Sequence, residues 1–141
     1  CADIRLVAIG ALGRAGAIDA IEVIIDAVTD SDVEVRIEAL RALAELDDPI
    51  ALPASLRALE DEFWEVRSAA VSTAARLGGD GAANPIAKLL DDSAEWVRHN
   101  AALALTRCGP MGAVSLREAA ARGNENASSA LAEHRLATEG A

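Results

Sequence analysis

Aromatic residues are almost missing: the 141-residue chain holds one Phe, two Trp and no Tyr, an aromatic share of 2%. Strands draw on aromatic and β-branched residues, so this composition argues against a sheet protein. Lysine is scarcer still, with Lys88 alone, and 13 basic residues stand against 23 acidic ones for a net charge of -10. A phosphate backbone is held by several Lys/Arg contacts that release counterions, so this balance disfavours nucleic acid. It favours a basic or neutral protein segment instead. Two cysteines, Cys1 and Cys108, make no disulfide framework. Of the two histidines, His99 and His134, the first lies nine residues from Cys108, half a turn out of phase on a continuous helix, so the two do not converge on a metal. No apolar run approaches the roughly 20 residues that span a bilayer, and no basic leader precedes an apolar stretch.

Alanine and aliphatic residues fill the gap, for a hydrophobic share of 52% that suits close-packed helices. Their arrangement is periodic. Ile4-Arg5, Val35-Arg36, Val66-Arg67 and Val97-Arg98 recur every 31 residues without a gap. A fixed period of this size marks a stacked array in which each unit buries its apolar face only against its neighbours. Three positions after each Arg stand Ala8, Ala39, Ala70 and Ala101, followed by Ile9, Leu40, Val71 and Ala102. Six and seven after it come Ala11-Leu12, Ala42-Leu43, Thr73-Ala74 and Ala104-Leu105. Spacings of three, four and seven put these residues on one face of a helix, and the small ones let neighbouring axes approach.

Acidic and hydroxyl residues precede each of the later Val-Arg pairs: Asp30-Ser31-Asp32, Asp61-Glu62 and Asp91-Asp92-Ser93. They suit a helix start, where side-chain oxygens accept from free backbone N-H groups, and Ser31 with Glu34 has capping-box spacing. Gly16, Asp47-Asp48-Pro49, Gly78-Gly79 and Gly109-Pro110 mark the far ends. A second helix is predicted through 20–28, 51–59, 82–90 and 113–121, its start favoured by Pro49, Pro53 and Pro85. Pro53, four residues beyond Pro49, is placed to delay or kink that helix.

An acidic turn, then Val-Arg, then Ala and Leu at helical spacing, then a Gly/Asp turn and a second helix: this pattern resembles the short HEAT-like repeats of the phycobilisome-lyase type, over nearly the whole chain. The resemblance implies an all-α fold, a right-handed α-solenoid of about four and a half two-helix repeats with a 31-residue period. One domain is expected over 1–141, with repeat cores near 4–34, 35–65, 66–96 and 97–123 and a capping helix at 125–137, followed by a short tail. The absence of an initiator Met and of a partner helix before residue 4 reads as a piece of a longer protein. In this repeat type the Val-Arg helix lines the concave, binding side.

The ladder Arg5, Arg36, Arg67 and Arg98, with Asp30, Asp61 and Asp92, reads first as a structural network tying adjacent turns together. A row of anion-binding arginines is the competing reading, opposed by the nearby carboxylates. Departures from the period carry more functional information, because stacking does not require them. Phe63, Trp64 and Trp96 comprise every aromatic residue of the chain and all lie at the starts of Val-Arg helices. Aromatic side chains anchor binding hot spots, but they also cover helix ends, and both readings stand. Glu34, Glu38, Arg41, Glu65, Glu95 and His99 fall on the same expected face and would set its charge preference. Within it the offsets two, three and six after each Ile or Val are expected to face outward: Leu6, Val7 and Gly10; Ile37, Glu38 and Arg41; Ser68, Ala69 and Ser72; His99, Asn100 and Leu103, with the middle sets forming a shallow groove between aromatic walls.

Catalytic chemistry finds no foothold. Gly78-Gly79-Asp80-Gly81 lacks the Lys-Ser/Thr of a phosphate loop, and Asp91 and Asp92 are helix-start residues rather than an acid/base pair. Cys108, in the helix-end column of Leu46 and Leu77, reads as a buried free thiol. The expected function is a non-catalytic protein-protein interaction or scaffold module of a bacterial-type cytoplasmic protein. No cofactor, metal, nucleic acid or membrane insertion is expected, and the partner is a protein or peptide segment, basic in its preferred form. The alternatives are a chromophore-lyase or chaperone-like subunit, which the family resemblance allows, and nucleic-acid binding, which the charge disfavours.

Overall fold

A computed structural model describes residues 1–140, and every described element is helical. The first helices of the repeats are α1 (Ala2–Arg14), α3 (Val33–Leu46), α5 (Trp64–Gly78) and α7 (Glu95–Leu105). The second helices are α2 (Ile21–Ala27), α4 (Leu52–Ala58), α6 (Ala83–Ala87) and α8 (Gly109–Ala121), and α9 (Glu125–Glu139) follows them. Each first helix packs on the next in the order α1, α3, α5, α7, with the second helices as an outer layer and α9 against α7 and α8. The first helices pack on one another more closely than α2, α4 and α6 do. The first helices thus form one continuous layer of the stack.

The 31-residue columns become layers of core. Val35, Val66 and Val97 are fully buried, as are Ala39, Ala70 and Ala101. Leu40, Leu43, Ile86, Leu90, Leu105 and Leu116 fill the space between the layers, and each such side chain contributes about 1.5–3 kcal/mol by leaving water. Alanine lets the axes approach, and Gly13 brings α1 closer still: a Cβ there would lie 2.6 Å from the Cβ of Ala42. In the first repeat Ile4, in the column of Val35, is 71% exposed and Ala8, in the column of Ala39, is exposed too, whereas Ile9, in the column of Leu40, is buried.

Several local expectations need correction. The cap of α3 is Asp32 rather than Ser31: its Oδ1 accepts from the N-H groups of Glu34 and Val35. The early second helices are shorter than the periodicity indicates, because their ends wind into 3-10 turns at Ile18–Ala20, Pro49–Ala51, Gly79–Ala82 and Lys88–Asp91. Pro49 occupies one such turn, after Asp48 caps the N-H of Ile50, and Pro53 sits in the first turn of α4. Both positions suit a residue with no N-H to donate. Gly109-Pro110, read as a stop, instead opens α8 four residues before the expected start at 113: Gly109 turns the chain at φ +63 and Pro110 enters the first turn. The helix expected at 125–137 runs two residues further, to Glu139. Ala141, the last residue of the expected tail, lies outside the described residues. Gly10 and Ile37, expected to face outward, are buried: Gly10 lies beneath the side chains of Glu38 and Arg14. No described helix is long and apolar enough to cross a membrane.

Candidate functional site

The arginines of the Val-Arg pairs form a continuous ladder along one edge of the stack. Arg5 donates from Nε and Nη2 to the two oxygens of Asp30, both at 2.8 Å and 25 residues on. Arg67 grips Asp92 in the same bidentate way, again with both bonds at 2.8 Å. Such planar fork-to-carboxylate pairs are the strong, oriented class of hydrogen bond. The middle rung is looser. Arg36 Nη2 donates to Asp61 Oδ1 at 3.2 Å, while Nε lies 3.1 Å from Oδ2 without aiming its N-H there. That Nε is the one buried side-chain polar atom without a hydrogen-bond partner among the described residues. The remaining nitrogen, Nη1, reaches back to the turn before its own helix, donating to the carbonyl of Asp30 from Arg36, of Asp61 from Arg67 and of Asp92 from Arg98, at 2.7–2.8 Å.

Each ladder aspartate is thus used from three sides. Its side chain takes an arginine from the preceding Val-Arg helix, its carbonyl takes the next arginine, and its Oδ1 accepts the N-H two residues on, as in Asp32 to Asp30, Phe63 to Asp61 and Ala94 to Asp92. The Arg5 guanidinium holds the Asp30 carboxyl below the usual range, and Arg67 does the same for Asp92. The same hydrogen bonds push Arg5 and Arg67 up. Arg5, Arg36 and Arg67 therefore spend their charge inside the protein.

The layer of first helices carries a different surface. Trp64 and Trp96, 42% and 59% exposed, open onto one groove of about 630 Å³ that crosses α3, α5 and the start of α7. Its floor is mostly small, with Ala44, Ser68, Ala69, Ser72 and Thr73 beside the larger Ile37. Glu34, Glu45 and Glu65 are its carboxylates, and Arg41 its one cation. Thr73 Oγ lies at hydrogen-bond distance from the carbonyls of Leu40 (2.9 Å) and Ala69 (3.0 Å), fixing the floor of α5 against α3. The indoles project because they sit at helix starts, where the preceding turn leaves no neighbour over them. Trp96 leans on the His99 ring one helical turn on, with centroids 5.6 Å apart.

Not every residue of the expected face joins that groove. Phe63, the residue before α5, turns the other way and lies over the Arg36 guanidinium at 5.4 Å, a cation-π contact that covers the ladder. Glu38 sits between Arg14 and Arg41, 3.7 Å from each. Glu95 is exposed in the first turn of α7, outside the groove lining. Ser68, Ala69 and Ser72, expected to face outward between the aromatic walls, do line this groove. Glu45 is the lining carboxylate that the sequence reading does not single out, and its signal is spacing: it follows Glu34 by eleven residues, three helical turns. Cys108 is buried under α7, with Sγ donating to the carbonyl of Ala104 at 3.3 Å, and burial pushes its thiol up. Among the described residues no group of His, Cys, Asp and Glu is arranged to hold a metal ion.

No curated protein matches this chain. A family model described as HEAT repeats matches residues 1–60 and 52–138. Repeats of this kind are generally protein-interaction modules and typically non-catalytic, which agrees with a stack whose elaborated feature is an open groove. The two matches overlap only at 52–60 and together span nearly the entire sequence, so the chain belongs to the HEAT-repeat family.

Proposed function

We propose that the chain is a non-catalytic binding or scaffold module that takes a polypeptide segment of basic character along the groove between Trp64 and Trp96. The carrying observation is the pairing of two exposed indoles over a floor of mostly small residues. Large rigid aromatics beside a floor of mostly small residues supply the area and the room that a hot-spot pocket needs. Charge selects the occupant. Three carboxylates and one guanidinium line the groove, that guanidinium is shared with Glu38, and the whole chain is at -10. Complementary charge raises encounter rates and suppresses wrong partners.

The other readings draw less support. Nucleic acid would need free cations, and Arg5, Arg36 and Arg67 are each paired with an aspartate. A chromophore-lyase role would need a site for a large pigment, and neither cysteine lines the groove.

Selection from a displayed peptide library on the immobilised protein tests the proposal. Basic sequences should be retained by the wild-type chain and lost, by about 10-fold or more, on a W64A/W96A variant with unchanged helicity and melting. Equal retention on both proteins would remove the groove as the binding surface.

A further inference from the structure

The ladder ends differently from the way it runs. Arg67 donates Nη1 to the carbonyls of Asp61 at 2.8 Å and Glu62 at 3.2 Å, which turns its Nε/Nη2 edge onto both oxygens of Asp92. Arg98 repeats the first half at the same distances, donating Nη1 to the carbonyl of Asp92 at 2.8 Å and of Ser93 at 3.2 Å. The second half is not made. The residue 25 positions beyond Arg98 is Gly123 where the other rungs have aspartate, and no described carboxylate lies within 4.0 Å of the Arg98 guanidinium. Asn124 has taken over the structural duty there, donating Nδ2 to the carbonyl of Leu90 at 3.0 Å while its Oδ1 caps α9 at Ala127.

The space beyond Arg98 is a cavity of about 480 Å³, and Arg122, Asn124 and Asn126 share its lining. Asp91, Asp92 and Glu125 line it as well. Asp92 is held by Arg67 and by the Ala94 N-H, so it does not turn to Arg98. Asp91 faces the Asn124 amide at 3.5 Å, and Glu125 points from the exposed first turn of α9. These carboxylates discriminate by charge: they oppose a dianion more than a monoanion. A planar two-donor edge, already oriented, matches a carboxylate.

We propose that Arg98, assisted by Arg122, is a carboxylate-binding site that receives the side chain of an Asp or Glu presented by a partner polypeptide, in the way Arg67 receives Asp92. It is a second recognition point at the end of the stack, and it does not depend on the groove between the tryptophans. Its chemistry is opposite in sign to that of the groove, so a partner using both would carry a basic stretch and a separate acidic residue.

The arginine Nε-H signals of the ¹⁵N-labelled protein test it directly. Sodium acetate, and a short peptide with a single Asp, should shift the Arg98 signal saturably, while sodium chloride at equal ionic strength and the peptide's Asn counterpart should not. The Arg67 signal, already engaged, should stay in place. Arg98→Lys keeps the charge but loses the fork and should weaken binding by about 10-fold. Arg122→Gln, at an exposed position, should weaken it with the fold intact, which keeps the test valid if Arg98→Lys unfolds. Shifts that do not saturate, equal response to the Asp and Asn peptides, unchanged affinity in Arg122→Gln, or tighter binding of inorganic phosphate than of acetate would each overturn the assignment.

Discussion

Arg67 and Asp92 stand 25 residues apart in sequence and share two parallel hydrogen bonds of 2.8 Å, with both side chains largely out of water. Asp92→Asn keeps the shape and removes the charge. We expect a loss of roughly 2 kcal/mol, the usual size for a partly buried hydrogen bond to a charged group. Urea unfolding of the variant and the parent measures it, and equal midpoints would show that the rung carries no stability.

Acid should act on the same rungs. The folded-state Asp30 and Asp92 carboxyls are held below their unfolded value of about 3.9, chiefly by hydrogen bonds from Arg5 and Arg67. Their contribution is therefore fully present above that value and is lost as the pH falls through the lower folded values. Melting temperature should be flat from neutral pH to about 5 and drop below 4. In Asp92→Asn the acid-dependent part of the drop should shrink, and an unchanged slope would assign it to other carboxylates.

Gly13→Ala tests the close approach of α1 to α3. Alanine ordinarily favours a helix interior over glycine by about 1 kcal/mol. Here its Cβ would meet the Ala42 Cα at 2.8 Å, and backbone does not move aside cheaply. Overpacking of this kind costs about 1–3 kcal/mol, so the net effect should be faster amide exchange throughout α1. Gly81→Ala, with nothing within 4 Å, is the control and should be neutral or slightly stabilising. Equal exchange in parent and Gly13→Ala would contradict the packing.

Thiol chemistry separates the two cysteines. Cys1 is exposed, whereas Cys108 is buried and its thiolate is disfavoured by desolvation. A thiol reagent should titrate one group in the native protein and two in denaturant. Rapid reaction of both in the native state would place Cys108 outside the core.

What could be read from the sequence follows from what repeats. The 31-residue column of Val35, Val66 and Val97 carries one physical demand at every occurrence, so helix order and core are legible without coordinates. The direction of the ladder is not. Asp61 lies 25 residues after Arg36 and six before Arg67, and only the structure shows that the first receives its side chain and the second its carbonyl. Phe63 and Trp64 are neighbours in sequence, yet one covers the ladder and the other walls the groove, because the chain enters α5 between them. The short second helices were hidden for a different reason. A 3-10 turn and an α-helix draw on the same residues, and proline marks a start without saying which winding follows.

Trp64 and Trp96 are the only tryptophans, so intrinsic fluorescence reports the groove and nothing else in the molecule. The most direct measurement of the central claim is acrylamide quenching with and without a peptide selected on the wild-type protein. The account predicts a lower quenching constant and a blue-shifted emission at saturation, as the segment covers both indoles. A bound peptide that leaves quenching and emission unchanged would contradict it.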